Sequence, residues 1–164
     1  MEAPTPESYW VDPGTLLAGK YPGAVDPSTA DPQVAALLDA GVTLFVDLTM
    51  ESELDPYADL LDGAATHVRM PIPDMGVTTA EQMRRTLDLV DRERARGGIP
   101  YVHCWGGAGR TGTVVGCWLV RHGLDGADAL RRITTLRAAS PALWLDSPQT
   151  AEQRAMVATW REPA

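Results

Sequence analysis

Residues 101–112 read YVHCWGGAGRTG. They begin with an apolar run typical of a buried strand, which leads Cys104 into a loop that contains three glycines. The loop ends at Arg110, and an almost wholly apolar helix is predicted to follow. A thiol and a guanidinium separated mainly by small residues are seldom needed for the stability of a fold. This segment therefore predicts a chemical site at the end of a strand.

The composition of the chain limits what such a site binds. The 164 residues are 45% hydrophobic and 22% charged, which is ordinary for a globular protein and fits one domain over residues 1–164. Residues 1–30 are expected to form a strand and loop extension of that domain. The net charge of −8 and the lack of a basic segment argue against nucleic acid or a membrane as partner. An anion must therefore be bound locally.

The termini and the cysteines indicate a compartment. Residues 1–10 contain neither a basic region nor an apolar core, so no secretory signal is expected, and no apolar run is long enough to span a bilayer. The chain contains two cysteines, Cys104 and Cys117. Without an export signal, two free thiols are a better expectation than a disulfide. The sequence predicts a cytoplasmic protein.

Strand-like and helix-like segments alternate along the chain. Strands are predicted over 9–11 and 16–18, as a small hairpin or as edge strands, and over 42–48, 66–72 and 99–103. Helices are predicted from Asp31-Pro32 to Gly41, briefly over 56–61, from Thr78 and Thr79 to Gly97, and over 111–120, 127–138 and 149–160. Residues 20–27 are predicted as loop. The order predicts an α/β fold with a central, mainly parallel sheet flanked by helices, in which ligands bind beyond the carboxyl ends of strands.

Two other glycine-loop motifs compete for the segment. Residues 107–112 match the dinucleotide fingerprint G-x-G-x-x-G, but that fold needs a further strand about 20 residues later. Residues 125–132, which lie there, are predicted as helix. The nucleotide P-loop fails at both informative positions, because Cys104 replaces its first glycine and Arg110 replaces its lysine. Neither motif explains the segment.

The spacing C-x5-R suits a phosphate group. A loop with three glycines curls easily, so that successive backbone N–H groups point inward, and the helix that starts near Arg110 adds its positive end. The Arg110 guanidinium binds two phosphate oxygens in a fork. The same positive field favours the thiolate form of Cys104. The segment thus predicts a nucleophile and its anionic substrate in one pocket.

Residues 103–112 resemble the signature loop of the cysteine-dependent protein-tyrosine and dual-specificity phosphatases. Residues 73–76 (Pro-Asp-Met-Gly) resemble the mobile general-acid loop of that family, and residues 147–153 resemble its glutamine loop. The resemblance covers residues 42–160, and the chain length is closer to the compact, dual-specificity branch. It implies a protein-tyrosine-phosphatase-like fold and hydrolysis of phosphomonoesters with no cofactor and no metal.

The resemblance gives the main residues their roles. Cys104 is expected to attack phosphorus and form a phosphocysteine. Arg110 is expected to bind the phosphoryl group and stabilise its equatorial oxygens in the transition state. Asp74 is expected to protonate the leaving oxygen and later to activate water, with Asp47 and, more weakly, Glu51 as rival acids.

Other residues are expected to bind or to support. Thr111 either donates a hydrogen bond to the leaving thiolate or caps the helix. His103 orients the loop rather than transferring protons, and Gln149, or more weakly Gln153, positions water. Cys117 is predicted to be a core residue. The predicted substrate-binding residues are those of the loop, Trp105, Gly106, Gly107, Ala108, Gly109 and Arg110.

These assignments predict an enzyme that hydrolyses phosphotyrosine, and also phosphoserine or phosphothreonine if the pocket is shallow. Its partner is a phosphorylated protein or a small phosphomonoester. The alternatives are a non-catalytic phosphate-binding module on the same loop and a phosphatase of a non-protein phosphomonoester. Another thiolate enzyme, a sulfurtransferase or an arsenate reductase, would be expected to use a different loop length or further redox cysteines.

Overall fold

The computed structural model describes the backbone of residues 1–23 and 27–164 and the side chains of residues 1–23 and 31–164. The strands in these ranges are β1 Ser8–Asp12, β2 Leu16–Gly19, β3 Leu44–Asp47, β4 Thr66–Arg69 and β5 Pro100–His103. The α-helices are α1 Pro27–Asp39, α2 Ala80–Ala95, α3 Gly109–Arg121, α4 Gly126–Arg137 and α5 Ala151–Ala158, and a 3₁₀ helix covers Ala58–Leu61. Within these ranges, none of the helices has the length and hydrophobicity that a bilayer crossing requires.

The strands form one sheet in the order β1-β2-β5-β3-β4. β1 and β2 pair antiparallel, whereas β5 is parallel to both β2 and β3, and β3 is parallel to β4. Gly19 and Asp47 are both register partners of His103, so the carboxyl ends of the parallel strands β2, β3 and β5 lie side by side. The predicted α/β fold with a central, mainly parallel sheet is confirmed, and the central strand β5 carries the cysteine loop at its carboxyl end.

Alternate residues of the strands face two separate apolar clusters. On one face of the sheet, Val46 and Val102 pack with side chains from α2, α3, α4 and α5. On the other face, Phe45 and Tyr101 pack with Leu37 and other side chains of α1. All four strand residues are at most 1% exposed. Burial on both faces explains why these strands appear in the sequence as continuous apolar runs rather than as alternating patterns.

The first helix differs from its prediction. It was expected to open at Asp31-Pro32, but α1 begins at Pro27 and contains Pro32 inside the helix. Proline favours the first helical position, and Pro27 takes that position. Pro32 then leaves one helical hydrogen bond unmade, because it has no N–H. The predicted loop over 20–27 is therefore wrong at Pro27, and residues 24–26 lie outside the described residues.

Two other segments refine the expected topology. The predicted hairpin of β1 and β2 is confirmed, although β2 is an interior strand and only β1 lies at the sheet edge. The strand predicted over 66–72 ends at Arg69, because the register shifts beyond it. Met70 N donates to Asp47 O at 2.8 Å, as the ladder requires, but the next donor on that side no longer pairs two residues further along β3. Ile72 N still donates to Leu48 O at 2.9 Å, which keeps the following loop beside β3. After α3 the chain forms α4, so the dinucleotide motif lacks its second strand.

Thr43 joins the start of β3 to the turn before β5. Its hydroxyl donates to Glu93 Oε1 at 2.6 Å and accepts from Ile99 N at 2.8 Å. The substitution Thr43→Val keeps the side-chain shape but leaves Ile99 N and Glu93 Oε1 without this partner, although Glu93 Oε2 keeps its contact with Arg96 at 3.0 Å. We expect it to lower the free energy of unfolding by about 2 kcal/mol, measured by urea titration.

The matched control is Thr135→Val on α4. The hydroxyl of Thr135 is exposed and donates only to Arg131 O, at 3.3 Å. Its loss is expected to change the free energy of unfolding by less than about 0.5 kcal/mol. Equal effects of the two substitutions would show that Thr43 does not carry this connection.

Candidate active site

The loop after β5 is held against the neighbouring strand β2. Trp105 O accepts a hydrogen bond from Tyr21 N at 3.1 Å. Gly107 has φ +69°, and a Cβ placed on it would lie 2.6 Å from the carbonyl carbon of Gly19. A side chain at this position would therefore clash with backbone as well as strain its own conformation. Glycine at position 107 allows the loop to curl tightly beyond the strand end.

Cys104 lies at the base of this loop and is 3% exposed. The hydroxyl of Thr111 donates to Cys104 Sγ at 3.0 Å. Thr111 belongs to the first turn of α3, which starts at Gly109, so the positive end of the helix lies beside the loop. A hydrogen-bond donor and a helix amino end thus both lie beside the sulfur. The contact that the sequence predicted between Thr111 and Cys104 is present.

Arg110 is 2% exposed and is held by oxygen atoms on several sides. Its Nη1 and Nη2 donate to the two carboxylate oxygens of Glu53 at 2.8 and 2.7 Å, and Nη1 also donates to Ile72 O at 3.0 Å. Burial alone would lower the pKa of Arg110, but the hydrogen bonds to Glu53 and the charge of Cys104 raise it above the ordinary value. The hydrogen bonds from Arg110 in turn lower the pKa of Glu53. The guanidinium is thus fixed in place and permanently charged.

Asp74 is the acid that faces this guanidinium. Its Oδ1 lies 3.2 Å from Arg110 Nη2, and its side chain is 69% exposed. The loop that carries Asp74 is anchored at Gly76, whose carbonyl oxygen accepts a hydrogen bond from Gln153 Nε2 at 3.1 Å. Asp74 therefore combines access to solvent with a position at the cysteine and arginine site, as a general acid requires.

The rival acids lie elsewhere. Asp47 is 2% exposed and accepts hydrogen bonds from Thr49 N, Thr49 Oγ1 and His67 Nε2 at 2.9, 2.6 and 2.9 Å. Burial by itself would raise the pKa of Asp47, but the hydrogen bond with His67, the nearby His103 and the Thr49 donors hold it well below its ordinary value. Asp47 is therefore an ionised anchor for the loop after β3. Glu51 lines a neighbouring groove and not the cavity of Cys104.

His103 supports the loop from below. Its Nδ1 lies 3.1 Å from Cys104 O, and Tyr57 Oη lies 2.5 Å from its Nε2. Complete burial lowers the pKa of His103 to about 4, so the ring is neutral at physiological pH. We assign the proton to Nδ1, because the Cys104 carbonyl needs a donor and the Tyr57 hydroxyl then donates to Nε2. This arrangement fits the orienting role that the sequence predicted.

The two glutamines differ in position. Gln149 lines the cavity with Cys104, as a residue that positions water would. Gln153 is fully buried, and its Oε1 accepts from Gln149 N and Thr150 N, both at 3.1 Å. Because its Nε2 also holds Gly76, Gln153 joins the start of α5 to the loop of Asp74. The sequence favoured Gln149, and the structure adds Gln153 as the residue that connects the two loops.

The cavity shared by these groups has a volume of about 120 Å³. Its lining residues are Asp74, Met75, Cys104, Trp105, Gly106, Arg110, Leu145 and Gln149. Of the predicted binding loop, Gly107 and Ala108 contact the surrounding chain instead, Ala108 through its carbonyl oxygen and Ser147 Oγ at 2.6 Å. Gly109 has no room for a side chain, since a Cβ would lie 2.8 Å from Gln149 Oε1. Their expected part in substrate binding is limited to the backbone.

Three residues near the site escaped the sequence analysis. Glu53, which grips Arg110, is one of several acids in residues 50–55 and has no distinctive pattern. Leu145 lines the cavity, and its carbonyl oxygen accepts from Arg137 Nη1 at 2.5 Å. Arg137 is 6% exposed, and burial lowers its pKa. Neither the contact of Glu53 with Arg110, 57 positions away, nor that of Arg137 with Leu145, eight positions away, belongs to a motif that residue spacing would show.

Cys117 is a core residue, as predicted. It is fully buried in the larger apolar cluster on α3, and burial raises the pKa of its thiol. Both Cys104 and Cys117 are free thiols in the structure. Cys117 therefore stays protonated, and it has none of the polar neighbours that surround Cys104.

Comparison with known proteins finds a family whose model matches most of this chain. A family model described as the DSP-PTPase phosphatase domain of Swiss Army Knife proteins (PTP-SAK) matches residues 5–159. An uncharacterized protein of Methanocaldococcus jannaschii is 39% identical over 56 residues, which are 34% of this chain and 38% of that protein. The match with this relative thus spans well under half of its length.

Solved structures share the fold at low sequence identity. Tk-PTP in its active form is 24% identical with a TM-score of 0.76, over 93% of this chain and 94% of that chain. PTPMT1 in complex with PI(5)P is 18% identical with a TM-score of 0.72, over 92% of both chains. At these identities the similarity concerns the architecture, which is that of protein-tyrosine-phosphatase-like proteins.

The contact between the loop and β2 gives a stability prediction. Gly107→Ala places a Cβ at a positive φ and against Gly19, so we expect it to lower the free energy of unfolding by about 2 kcal/mol or more. Gly106→Ala is the control, because its Cβ would meet only Leu145, at 3.7 Å. Its expected change is within about 0.5 kcal/mol. Urea titration of both variants checks the difference, and similar losses would refute the tight approach at Gly107.

Proposed function

The chain belongs to the DSP-PTPase family of phosphatase domains, and from this premise we propose that it hydrolyses phosphotyrosine in proteins through a phosphocysteine at Cys104. One observation carries the proposal. Cys104, Asp74 and the fixed guanidinium of Arg110 line the same small cavity, and Asp74 Oδ1 lies 3.2 Å from Arg110 Nη2. A nucleophile, an anion-binding cation and an acid in one cavity are the groups that phosphoryl transfer needs.

In the first step the phosphoryl group displaces Asp74 from Arg110. The phosphoryl oxygens take the Nη2 donor that Asp74 Oδ1 contacts at 3.2 Å and the backbone N–H groups of the loop. The Cys104 thiolate then attacks phosphorus, so that an S–P bond forms while the bond from phosphorus to the ester oxygen breaks. Asp74, as the acid, gives its proton to the leaving oxygen. Glu53 keeps Arg110 in position through the hydrogen bonds that its two carboxylate oxygens accept from Nη1 and Nη2.

In the second step water replaces the sulfur. The water oxygen attacks phosphorus while the Asp74 carboxylate takes a proton from that water. Gln149, which lines the cavity, orients the water. The S–P bond breaks, and Thr111 donates to the departing thiolate at the 3.0 Å contact already present. A thiolate nucleophile works only while it is reduced, so the proposal also places the protein in a reducing compartment such as the cytoplasm.

Replacement of the nucleophile and of the acid tests this proposal. Cys104→Ser is expected to abolish release of phosphate from p-nitrophenyl phosphate, measured without a thiol reductant. Asp74→Asn is expected to lower kcat by about a hundredfold or more on phenyl phosphate, and less on p-nitrophenyl phosphate, whose better leaving group needs less protonation.

The alternatives give different results in the same assays. A phosphate-binding module would bind an oxyanion such as tungstate but show no turnover that depends on Cys104. A sulfurtransferase or an arsenate reductase would not release phosphate under these conditions. If Asp47→Asn, rather than Asp74→Asn, caused the loss that depends on the leaving group, Asp47 would be the acid. Activity on a phosphoinositide but not on phosphopeptides would indicate a non-protein substrate.

The pair of Glu53 and Arg110 gives a further prediction. Glu53→Gln removes the charge that fixes the buried guanidinium but keeps one acceptor. Glu53 also accepts from Met50 N at 2.8 Å, a bond that the amide oxygen of glutamine can keep. Because Glu53 contacts the site through Arg110, we expect kcat/KM to fall by about tenfold, which corresponds to about 1.4 kcal/mol. Affinity for tungstate should fall with it, whereas the leaving-group dependence assigned to Asp74 should not change. An unchanged tungstate affinity would show that Glu53 does not position Arg110.

A further inference from the structure

Large apolar side chains lie at the cavity. Among the side chains that the structure describes, the exposed large hydrophobic ones are Met1, Met50, Met75, Trp105 and Trp144. Three of them line the cavity or directly neighbour a lining residue, and we call these three the apolar rim: Met75, Trp105 and Trp144. Much of the exposed apolar surface of the described chain therefore lies where a substrate would enter.

The rim residues are close to the catalytic groups. Met75, 50% exposed, and Trp105, 61% exposed, line the cavity themselves. Trp144, 78% exposed, directly precedes Leu145, which is another lining residue. Apolar surface in such a position is unfavourable in water unless a partner covers it, and contiguous exposed patches commonly mark binding sites. The rim is suited to apolar groups next to the bound phosphate.

The charged residues outside the cavity are mainly acidic. Arg110 is the basic residue among the cavity-lining residues of the described chain. Asp146 is exposed next to the apolar rim, and Glu51 and Asp55 are exposed in the groove that adjoins Glu53. With a net charge of −8, these carboxylates make the approach to the cavity negative.

The basic residue of that groove is already bound. Arg69 Nη1 donates to Thr49 O and Thr49 Oγ1 at 2.9 and 2.7 Å and lies 3.5 Å from Asp47 Oδ2. Its charge is thus used inside the loop after β3. A second anionic group on a substrate would meet carboxylates there, whereas a cationic group would be attracted.

We propose, on the basis of the proposed function, that the substrate is a phosphotyrosine segment of a protein whose neighbouring residues are apolar or basic. The site selects by repulsion as well as by attraction, because acidic neighbours of the phosphotyrosine meet Glu51, Asp55 and Asp146. The apolar rim covers the uncharged neighbours. Phosphotyrosine in an acidic segment and polyphosphorylated headgroups are disfavoured by the same charges.

A peptide fits this surface better than a membrane lipid does. Membrane surfaces that carry phosphoinositides are negative, and they recruit proteins through lysine and arginine clusters. The loops around this cavity present carboxylates instead. Charge complementarity therefore favours a protein segment with basic residues.

Three peptides of equal length with a central phosphotyrosine test the inference. The first has leucine and arginine beside the phosphotyrosine, the second has serine, and the third has aspartate and glutamate. We expect kcat/KM to decrease in that order, with a span of about tenfold at about 0.05 M salt, and the charge-dependent part to shrink at about 0.5 M. Vesicles with a phosphatidylinositol phosphate are the fourth substrate and should be hydrolysed more slowly than the first peptide.

Variants separate the two contributions. Met75→Asn removes an apolar side chain but suits the φ of 62° at this position, and it should reduce the advantage of the first peptide over the second. Glu51→Gln with Asp55→Asn should reduce the span between the first and the third peptide. Asp39→Asn with Asp62→Asn, an equal loss of two charges at the end of α1 and after the 3₁₀ helix, is the control and should leave the order and the span unchanged.

The outcomes are distinguishable from a failure of the proposed function. If the wild-type protein does not hydrolyse p-nitrophenyl phosphate, the proposed function itself is wrong. If it does, but the three peptides have equal kcat/KM, the inference is overturned and the phosphatase remains. Faster turnover of the third peptide or of the vesicle lipid than of the first peptide also overturns it.

Discussion

The ion pair between Arg110 and Glu53 is the constraint on which the site depends. A guanidinium that is 2% exposed is tolerated only when its charge is compensated, and Glu53 does this with both carboxylate oxygens. The pair connects the start of α3 with the loop after β3. The remaining donor directions of Arg110 point to a backbone carbonyl and to Asp74, so the cation is preorganised for a tetrahedral anion before one arrives.

The rest of the architecture brings three loops to this pair. The central strand β5 delivers the cysteine loop, and its parallel neighbour β3 ends beside it, so that the loop with Glu53 starts at the same sheet edge. Gln153 links the start of α5 to Gly76 and thus sets the position of the Asp74 loop. His103, neutral and bonded to Tyr57, holds the strand end that carries Cys104. Each support is buried, whereas Asp74 and the rim residues are exposed.

The inner residues and the exposed rim residues have different parts in the proposed function. The inner residues would carry out the reaction, and the exposed ones would select the substrate. The inner groups fix one cation and one thiol, which in the proposed function suits any phosphomonoester that reaches the base of the cavity. The exposed residues differ in character, since Met75 and Trp105 are apolar and the nearby charges are carboxylates. In the proposed function, substrate choice therefore depends on the loops, and a change in the loops need not disturb the groups around Arg110.

The sequence by itself determined the α/β class, the cysteine loop and the identity of Cys104, Arg110 and Thr111 as neighbours, because these features depend on local spacing and on apolar runs. It also offered Asp74 as the acid, with Asp47 as a rival. Only the tertiary structure showed where the two carboxylates lie, since Asp47 is bonded to Thr49 and His67 whereas Asp74 faces Arg110. Glu53 and the start of α1 were decided in the same way. The partner of a buried charge is 57 positions away in the chain, and packing rather than local pattern brings such residues together.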